Sequence, residues 1–363
     1  MDRRRFLLSL SAASLAAQTQ TPPEPDLEWH DVRKLTVEGL GFKDRKAPFD
    51  RLPERAETVV PAPVWSLSHD SAGVLVRFVA ATPALHTRWT ILKETLSGAN
   101  MTPIAASGLD LYAKTDAGKW RWLGVGRPTK FPDNNDVLVT GIPSTPREFM
   151  LYFPLYNGVT SVEIGVPKGA AISPAPPRAA ASKPIVFYGT SITQGASASR
   201  SGMCHPAILG RTFDREVINL GFSGNGRMEE GVMKLVAELD PAVFVLDCLP
   251  NMTAALVRER AIPGVRILRA AHPDTPILLV EDRNYDNSWL VKSRRESNEA
   301  NHAALHEAYE TLLAEKVTHL HYLKADDLLG SDGEATIDSS HPTDLGFVRH
   351  AAEFARALKP ILK

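Results

Sequence analysis

From Pro184 onward the chain repeats one unit that leaves little choice of fold: a short, nearly continuous apolar run, then an amphipathic stretch of helical period. Ile185-Val186-Phe187-Tyr188, Glu216-Val217-Ile218-Asn219, Val243-Phe244-Val245-Leu246 and Ile277-Leu278-Leu279-Val280 are dense enough for parallel strands buried on both faces. Residues 228–239, 253–271, 297–315 and 343–358 carry the helical period, with Thr253 and Thr343 placed as N-caps. Alternating strands and helices predict a three-layer, doubly wound parallel-sheet α/β domain of flavodoxin-like type over residues 185–363. Its ligand site is expected at the carboxyl ends of the strands.

The preceding half has a different rhythm. Val74-Leu75-Val76-Arg77-Phe78-Val79, Arg88-Trp89-Thr90-Ile91-Leu92, Trp120-Arg121-Trp122-Leu123 and Val159-Thr160-Ser161-Val162-Glu163-Ile164 read as strands. Turn signals at Asp116-Ala117-Gly118 and Pro132-Asp133-Asn134-Asn135 join them into an antiparallel β-sandwich over residues 26–169. Trp120 and Trp122 share one strand face and are read as core packing rather than as a sugar-stacking platform. Residues 170–184, with Pro174, Pro176, Pro177 and several alanines, can bury little and are read as a linker.

Residues 1–25 read as an address. Arg3, Arg4 and Arg5 precede a brief apolar run from Phe6 that ends at Ala16 and Ala17, the pattern of a secretory signal peptide and, as Arg-Arg-x-Phe-Leu, of twin-arginine export. A periplasmic or extracellular protein is therefore expected, without stable membrane insertion, since no later run approaches about 18 apolar residues. With 41 basic and 42 acidic residues, the charge balance gives a nucleic-acid partner no support. Cys204 and Cys248 are the only cysteines, which excludes a disulfide-rich scaffold and a four-cysteine zinc site, while a bond between these two stays open.

Chemistry-bearing residues cluster where the fold puts the ligand edge. Gly189-Thr190-Ser191-Ile192-Thr193-Gln194-Gly195 follows the first strand and sets the Ser191 hydroxyl on a strand-to-helix turn. Serine becomes a nucleophile only beside a base that is itself oriented. Asp338-Ser339-Ser340-His341-Pro342, before the last helix, offers His341 as that base and Asp338 as its partner. Acyl transfer also requires donors for the developing oxyanion. Gly224, in Asn219-Leu220-Gly221-Phe222-Ser223-Gly224-Asn225, can bring a backbone N–H close; Asn251, in Asp247-Cys248-Leu249-Pro250-Asn251, can present a side-chain amide; the Ser191 N–H is the third.

These four blocks resemble those of the SGNH, or GDSL-type, hydrolase superfamily over residues 183–363. The resemblance places the nucleophile at Ser191, the oxyanion donors at Ser191, Gly224 and Asn251, and the Asp-x-x-His pair at Asp338 and His341. Two positions depart from the family pattern: Thr190 stands for the usual Asp, and Leu249-Pro250 for the glycines before the asparagine. Upstream, Gly108-Leu109-Asp110-Leu111-Tyr112 is similar to the Gly-x-Asp-Leu-Tyr signature of a β-rich domain found ahead of some bacterial SGNH hydrolases. That pairing implies a secreted esterase acting on acylated carbohydrate or another small ester, with no cofactor. Asp110 and Tyr112 are expected to settle the β-domain or its interface. The pairs His302/His306 and His319/His321 could each supply two metal ligands, but surface and core roles are the reading taken, and no metal is expected. Trp289, in the loop after the fourth strand, is a candidate substrate-binding residue.

Overall fold

The structure, a computed structural model, describes residues 26–179 and 182–362; the expected export segment, residues 1–25, lies outside them. The amino-terminal strands are β1 (Leu27–Asp31), β2 (Thr36–Glu38), β3 (Leu75–Ala81), β4 (Ala84–Ile91), β5 (Leu109–Lys114), β6 (Trp120–Gly126), β7 (Asp133–Thr140), β8 (Arg147–Tyr152), β9 (Val159–Pro167) and β10 (Ala171–Pro174). They form two antiparallel sheets, one ordered β1-β9-β4-β7 and the other β10-β3-β8-β5-β6, with β2 continuing the β10 edge along β3. Alternate residues point inward. Val76, Phe78, Leu109, Leu111, Phe149 and Leu151 of one sheet share a core with Leu85, Trp89, Val162 and Ile164 of the other.

Several boundaries differ from the sequence reading. The expected linker begins as a strand: β10 pairs with β3, Ala175 is buried, and Arg178 reaches Glu38 and Asp214. Alanine and proline have little to bury, but an edge strand needs only backbone partners. Pro132-Asp133-Asn134-Asn135 is no turn beyond its first residue, because β7 starts at Asp133. There the Asn134 side chain accepts from the Thr129 and Lys130 N–H groups and so closes the loop before it. Of the two tryptophans expected in the core, Trp120 packs half-buried against a cluster with Tyr112 and Tyr152, and Trp122 stays outside. Trp122 is half exposed, and each indole N–H is held by a carboxylate, Trp120 by Asp214 and Trp122 by Asp110.

The second half is built on β11 (Ile185–Gly189), β12 (Val217–Gly221), β13 (Val243–Asp247), β14 (Ile277–Val280) and β15 (Leu320–Leu323), all parallel in the order β12-β11-β13-β14-β15. The helices along the chain are α1 (Ala62–Ser68), α2 (Pro103–Ser107), α3 (Ser191–Gln194), α4 (His205–Thr212), α5 (Glu230–Val236), α6 (Ala254–Ala271), α7 (Lys292–Ala314) and α8 (Asp344–Leu358). Ile185 and Phe187 pack under Leu209 of α4 and Phe354 of α8; Val186 and Tyr188 face Val232 of α5 and Val257 of α6. Both sheet faces are thus covered, as the continuous apolar runs require. Thr253 and Thr343 cap α6 and α8 as expected, their hydroxyls accepting from Leu256 and Gly346 N–H. Helix α7 begins earlier than its apolar period because its first turns are polar and laced by Lys292–Glu296 and Arg295–Glu299 pairs.

One segment changes sides. Phe42, Leu52, Ala56, Val60 and Val64, numbered within the expected β-sandwich, join the core of the α/β domain beside Ile218 and Leu239. They cover the end of the sheet at its edge strand β12, so the two halves share a continuous interior.

Candidate active site

The nucleophile turn is written into seven residues. Gly189 ends β11 where a Cβ would lie 2.0 Å from Thr193 Oγ1. Thr190, in place of the family's Asp, caps α3 with its hydroxyl accepting from the Ile192 N–H at 3.2 Å. Gly195, at φ +113°, stops the helix after one turn. Ser191 is consequently the first helical residue, where an N–H has no intrahelical acceptor.

The carboxy-terminal loop delivers the base. His341 Nε2 lies 2.9 Å from Ser191 Oγ, and His341 Nδ1 lies 2.8 Å from Asp338 Oδ2. The other Asp338 oxygen accepts from the Ser340 and His341 N–H groups at 3.0 and 2.8 Å. Burial pushes this carboxyl up, but the bonds from His341 and Ser340 outweigh it and hold it below the usual carboxylate range. Asp338 is therefore an anion able to fix the imidazole tautomer with Nε2 free to face the serine. The acids on either side of this loop are engaged elsewhere: Asp332 pairs with Arg349, and Asp344 accepts from Ser199.

A residue the sequence did not single out for this role pins the loop. Arg283, fully buried after β14, donates Nε to the Ser340 carbonyl at 2.8 Å, reaches the Ser340 hydroxyl with a second nitrogen, and pairs with Asp282. An Arg three residues beyond an apolar strand was the available signal, since burial there requires several acceptors nearby.

The loops that carry the expected oxyanion donors Gly224 and Asn251 pack against the turn. Gly224 sits at φ +69° with open space where a Cβ would be, and its N–H has no acceptor among the described residues. Asn251 lies in a one-turn 3-10 segment, Leu249–Asn251, that the Leu-Pro departure builds; its Oδ1 accepts from the Gly226 N–H at 3.2 Å. This leaves Nδ2 facing away from that bond, also without an acceptor among the described residues. Gly226 in turn packs so tightly that a Cβ would lie 2.2 Å from the Gly189 carbonyl, which locks this loop against the nucleophile turn.

Trp289 is 77% exposed and lines a cavity of about 410 Å³ with Tyr285, Asp286, Asp326 and Asp332. Its wall joins the catalytic loop, for the Asp286 N–H donates to the Ser339 carbonyl at 3.1 Å. The two cysteines are buried and unbonded, and burial pushes both thiols up, Cys204 to about 11. Of the histidine pairs, His302 bonds the Asp282 carbonyl and His306 pairs with Glu310, so they do not converge. Among the described residues, one group has the makings of a ligand set: buried His205, Asp247 and His350, with ligand atoms within 4.8 Å. Phe187, Phe347 and Phe354 enclose the imidazoles, burial keeps both rings neutral, and the Arg283 charge bears on His350. We assign this group to the core.

Asp247 carries a measurable consequence. Burial raises its carboxyl to about 7, against the Thr193 hydroxyl bond of 2.7 Å that favours the anion, with the Asp282 charge adding to the rise and Arg283 opposing it. A carboxyl raised in the folded state contributes stability that is complete below the unfolded value of about 3.9 and is lost as pH climbs through about 7. Asp247→Asn, neutral at every pH, is expected to melt close to wild type at pH 4 and several degrees above it at pH 8. Thermal denaturation across that range checks this; a difference that fails to grow with pH would contradict it.

A parallel α/β domain with a hydrogen-bonded Ser-His-Asp chain at its ligand edge, preceded by a β-sandwich, defines the SGNH class of esterase-type hydrolases. Comparisons agree. Residues 182–359 match the GDSL-like lipase/acylhydrolase family, and residues 27–172 match the N-terminus of SGNH-hydrolase-type esterases. A GDSL-like lipase from Bacteroides ovatus ATCC 8483 is 36% identical, with a TM-score of 0.88 over 93% of this chain and 98% of that one. The chain belongs to the GDSL-like lipase/acylhydrolase family. The fold is also similar to that of the salicylyl-acyltransferase SsfX3 from a tetracycline biosynthetic pathway, with 18% identity, TM-score 0.73, and coverage of 92% and 97%. An acetyl xylan esterase from the rumen bacterium Butyrivibrio proteoclasticus shares it at 12% identity, TM-score 0.58, and coverage of 92% and 99%. No curated protein matches the sequence.

Proposed function

We propose that this protein is an exported serine esterase that removes acyl groups, acetyl foremost, from carbohydrate. The observation that carries the reading is the unbroken chain from Ser191 Oγ through His341 to the Asp338 carboxylate. Ser191 Oγ bonds to the ester carbonyl carbon while His341 Nε2 takes its proton, and the carbonyl electron pair moves onto oxygen. The N–H groups of Ser191 and Gly224 and the Asn251 amide receive that oxyanion. Collapse breaks the bond to the sugar oxygen, which leaves with the proton from His341; water, deprotonated by the same imidazole, then releases the acid and restores the serine.

Carbohydrate is supported by the cavity beside the catalytic loop, whose aromatic Tyr285 and Trp289 and three carboxylates suit a hydroxyl-rich ring better than a long acyl chain. The acetyl xylan esterase with the same fold is consistent with this, and Arg3-Arg4-x-Phe6-Leu7 supports export. The test measures acetate released from acetylated xylan and compares p-nitrophenyl acetate with the palmitate ester. Acetate release and preference for the short ester are expected. Preference for palmitate would make the enzyme a lipid esterase. Absence of both turnover and Ser191 labelling by a fluorophosphonate would leave a non-catalytic carbohydrate binder.

A further inference from the structure

We propose that the β-domain builds part of the catalytic apparatus, holding the Gly224 loop in place through the buried amide of Gln194. Gln194 closes the nucleophile turn and is 0% exposed. Its Oε1 accepts from the N–H of Ser223, the residue just before Gly224, at 3.0 Å. Its Nε2 donates to the Leu155 carbonyl at 3.0 Å and to Asp70 Oδ2 at 3.2 Å, both from the amino-terminal half. Only one orientation of the amide satisfies the network, because the Ser223 N–H can only donate and both partners on the other side only accept.

The far end of this clamp is itself fixed. Asp70 is fully buried and ion-paired with Lys93, and its carbonyl accepts from Arg51 Nε at 2.8 Å. The same guanidinium holds the carbonyls of Asn219 and Gly221 at 3.1 and 2.7 Å, so Arg51 grips the end of β12 that leads into the loop. Gly221 can approach because it has no Cβ; one would lie 2.2 Å from the Gln194 N. Asp70 and Leu155, from the β-domain, and Arg51, on the segment that covers β12, therefore set where the Gly224 N–H points. Gln194 acts as a positioning residue.

The inference rests on Gly224 being an oxyanion donor, and misplacing such a group by about 1 Å can cost on the order of 100-fold in rate. The test is made on the full chain. Gln194→Met keeps the volume and removes all three bonds; kcat for p-nitrophenyl acetate is expected to fall about 10- to 100-fold with KM within about threefold. Affinity for a boronic acid, which forms a tetrahedral adduct with the serine, should weaken in the same proportion. Asp70→Ala, changed only on the β-domain side, is expected to shift kcat and boronate affinity the same way by about threefold to tenfold, which decides the matter if the Met variant does not fold. A folded Gln194→Met enzyme with kcat within twofold of wild type, or reduced kcat with unchanged boronate affinity, overturns the clamp. Failure of the esterase reading is distinct: the wild-type enzyme would then neither turn over the ester nor be labelled at Ser191.

Discussion

Ser191→Ala is expected to lower kcat for p-nitrophenyl acetate by about 10,000-fold or more while leaving the circular dichroism spectrum unchanged. The oxygen removed is the atom that bonds to the carbonyl carbon, and with it goes the proton that His341 Nε2 is positioned to accept at 2.9 Å. What remains is binding and oxyanion stabilisation acting on an adventitious water, worth about 1,000- to 10,000-fold over solution. Structure should be indifferent: Ser191 opens a four-residue helix capped by Thr190, and among the described residues its hydroxyl bonds the His341 ring and no backbone group. Steady-state kinetics and fluorophosphonate labelling check the expectation together. Turnover within tenfold of wild type would mean that another group is the nucleophile.

The largest effect on stability is expected at Asp110. Its carboxylate is wholly buried in the interface, accepting from Trp122 Nε1 at 3.0 Å, Arg200 at 2.9 Å and the Gly202 N–H at 2.8 Å. Burial pushes this group up, because the cost of desolvating the carboxylate exceeds what Arg200 and the Gly202 N–H return. Alanine would leave Arg200 and a buried N–H unpaired. Removing one partner of a buried pair costs about 3 to 5 kcal/mol, less here because Arg200 keeps some solvent contact, so a loss of about 3 kcal/mol is the expectation. In a chain this size that lowers the melting temperature by about 5 °C. Asp110→Asn, which keeps the shape and one acceptor oxygen, should lose less. Equal melting temperatures for wild type and Asp110→Ala would show that the contact contributes nothing.

Asp110 also explains the Gly-x-Asp-Leu-Tyr signature physically. Gly108 is packed against the Gly126 and Ile104 carbonyls, Asp110 holds the segment after the nucleophile turn, and Tyr112 reaches Arg200. The motif is thus a docking device for the hydrolase half, in keeping with the interface role expected of it.

The sequence by itself determined the local structure of the chemistry: a strand that is apolar throughout, a glycine, a threonine cap, a serine and a stopping glycine yield one outcome over seven residues, and Asp338 reaches His341 within a single loop. It also determined the layer order, because strands buried on both faces and helices with one apolar stripe can stack in only one way. The tertiary structure alone decided what joins these pieces. Ser191 and His341 are 150 residues apart and meet only when the sheet closes. Arg51, Asp70 and Gln194 read along the chain as unremarkable polar residues, since a buried hydrogen-bond network has no period and no spacing. The segment that left the sandwich to cover β12 had the same composition either way, and which core it entered depended on which edge stood open.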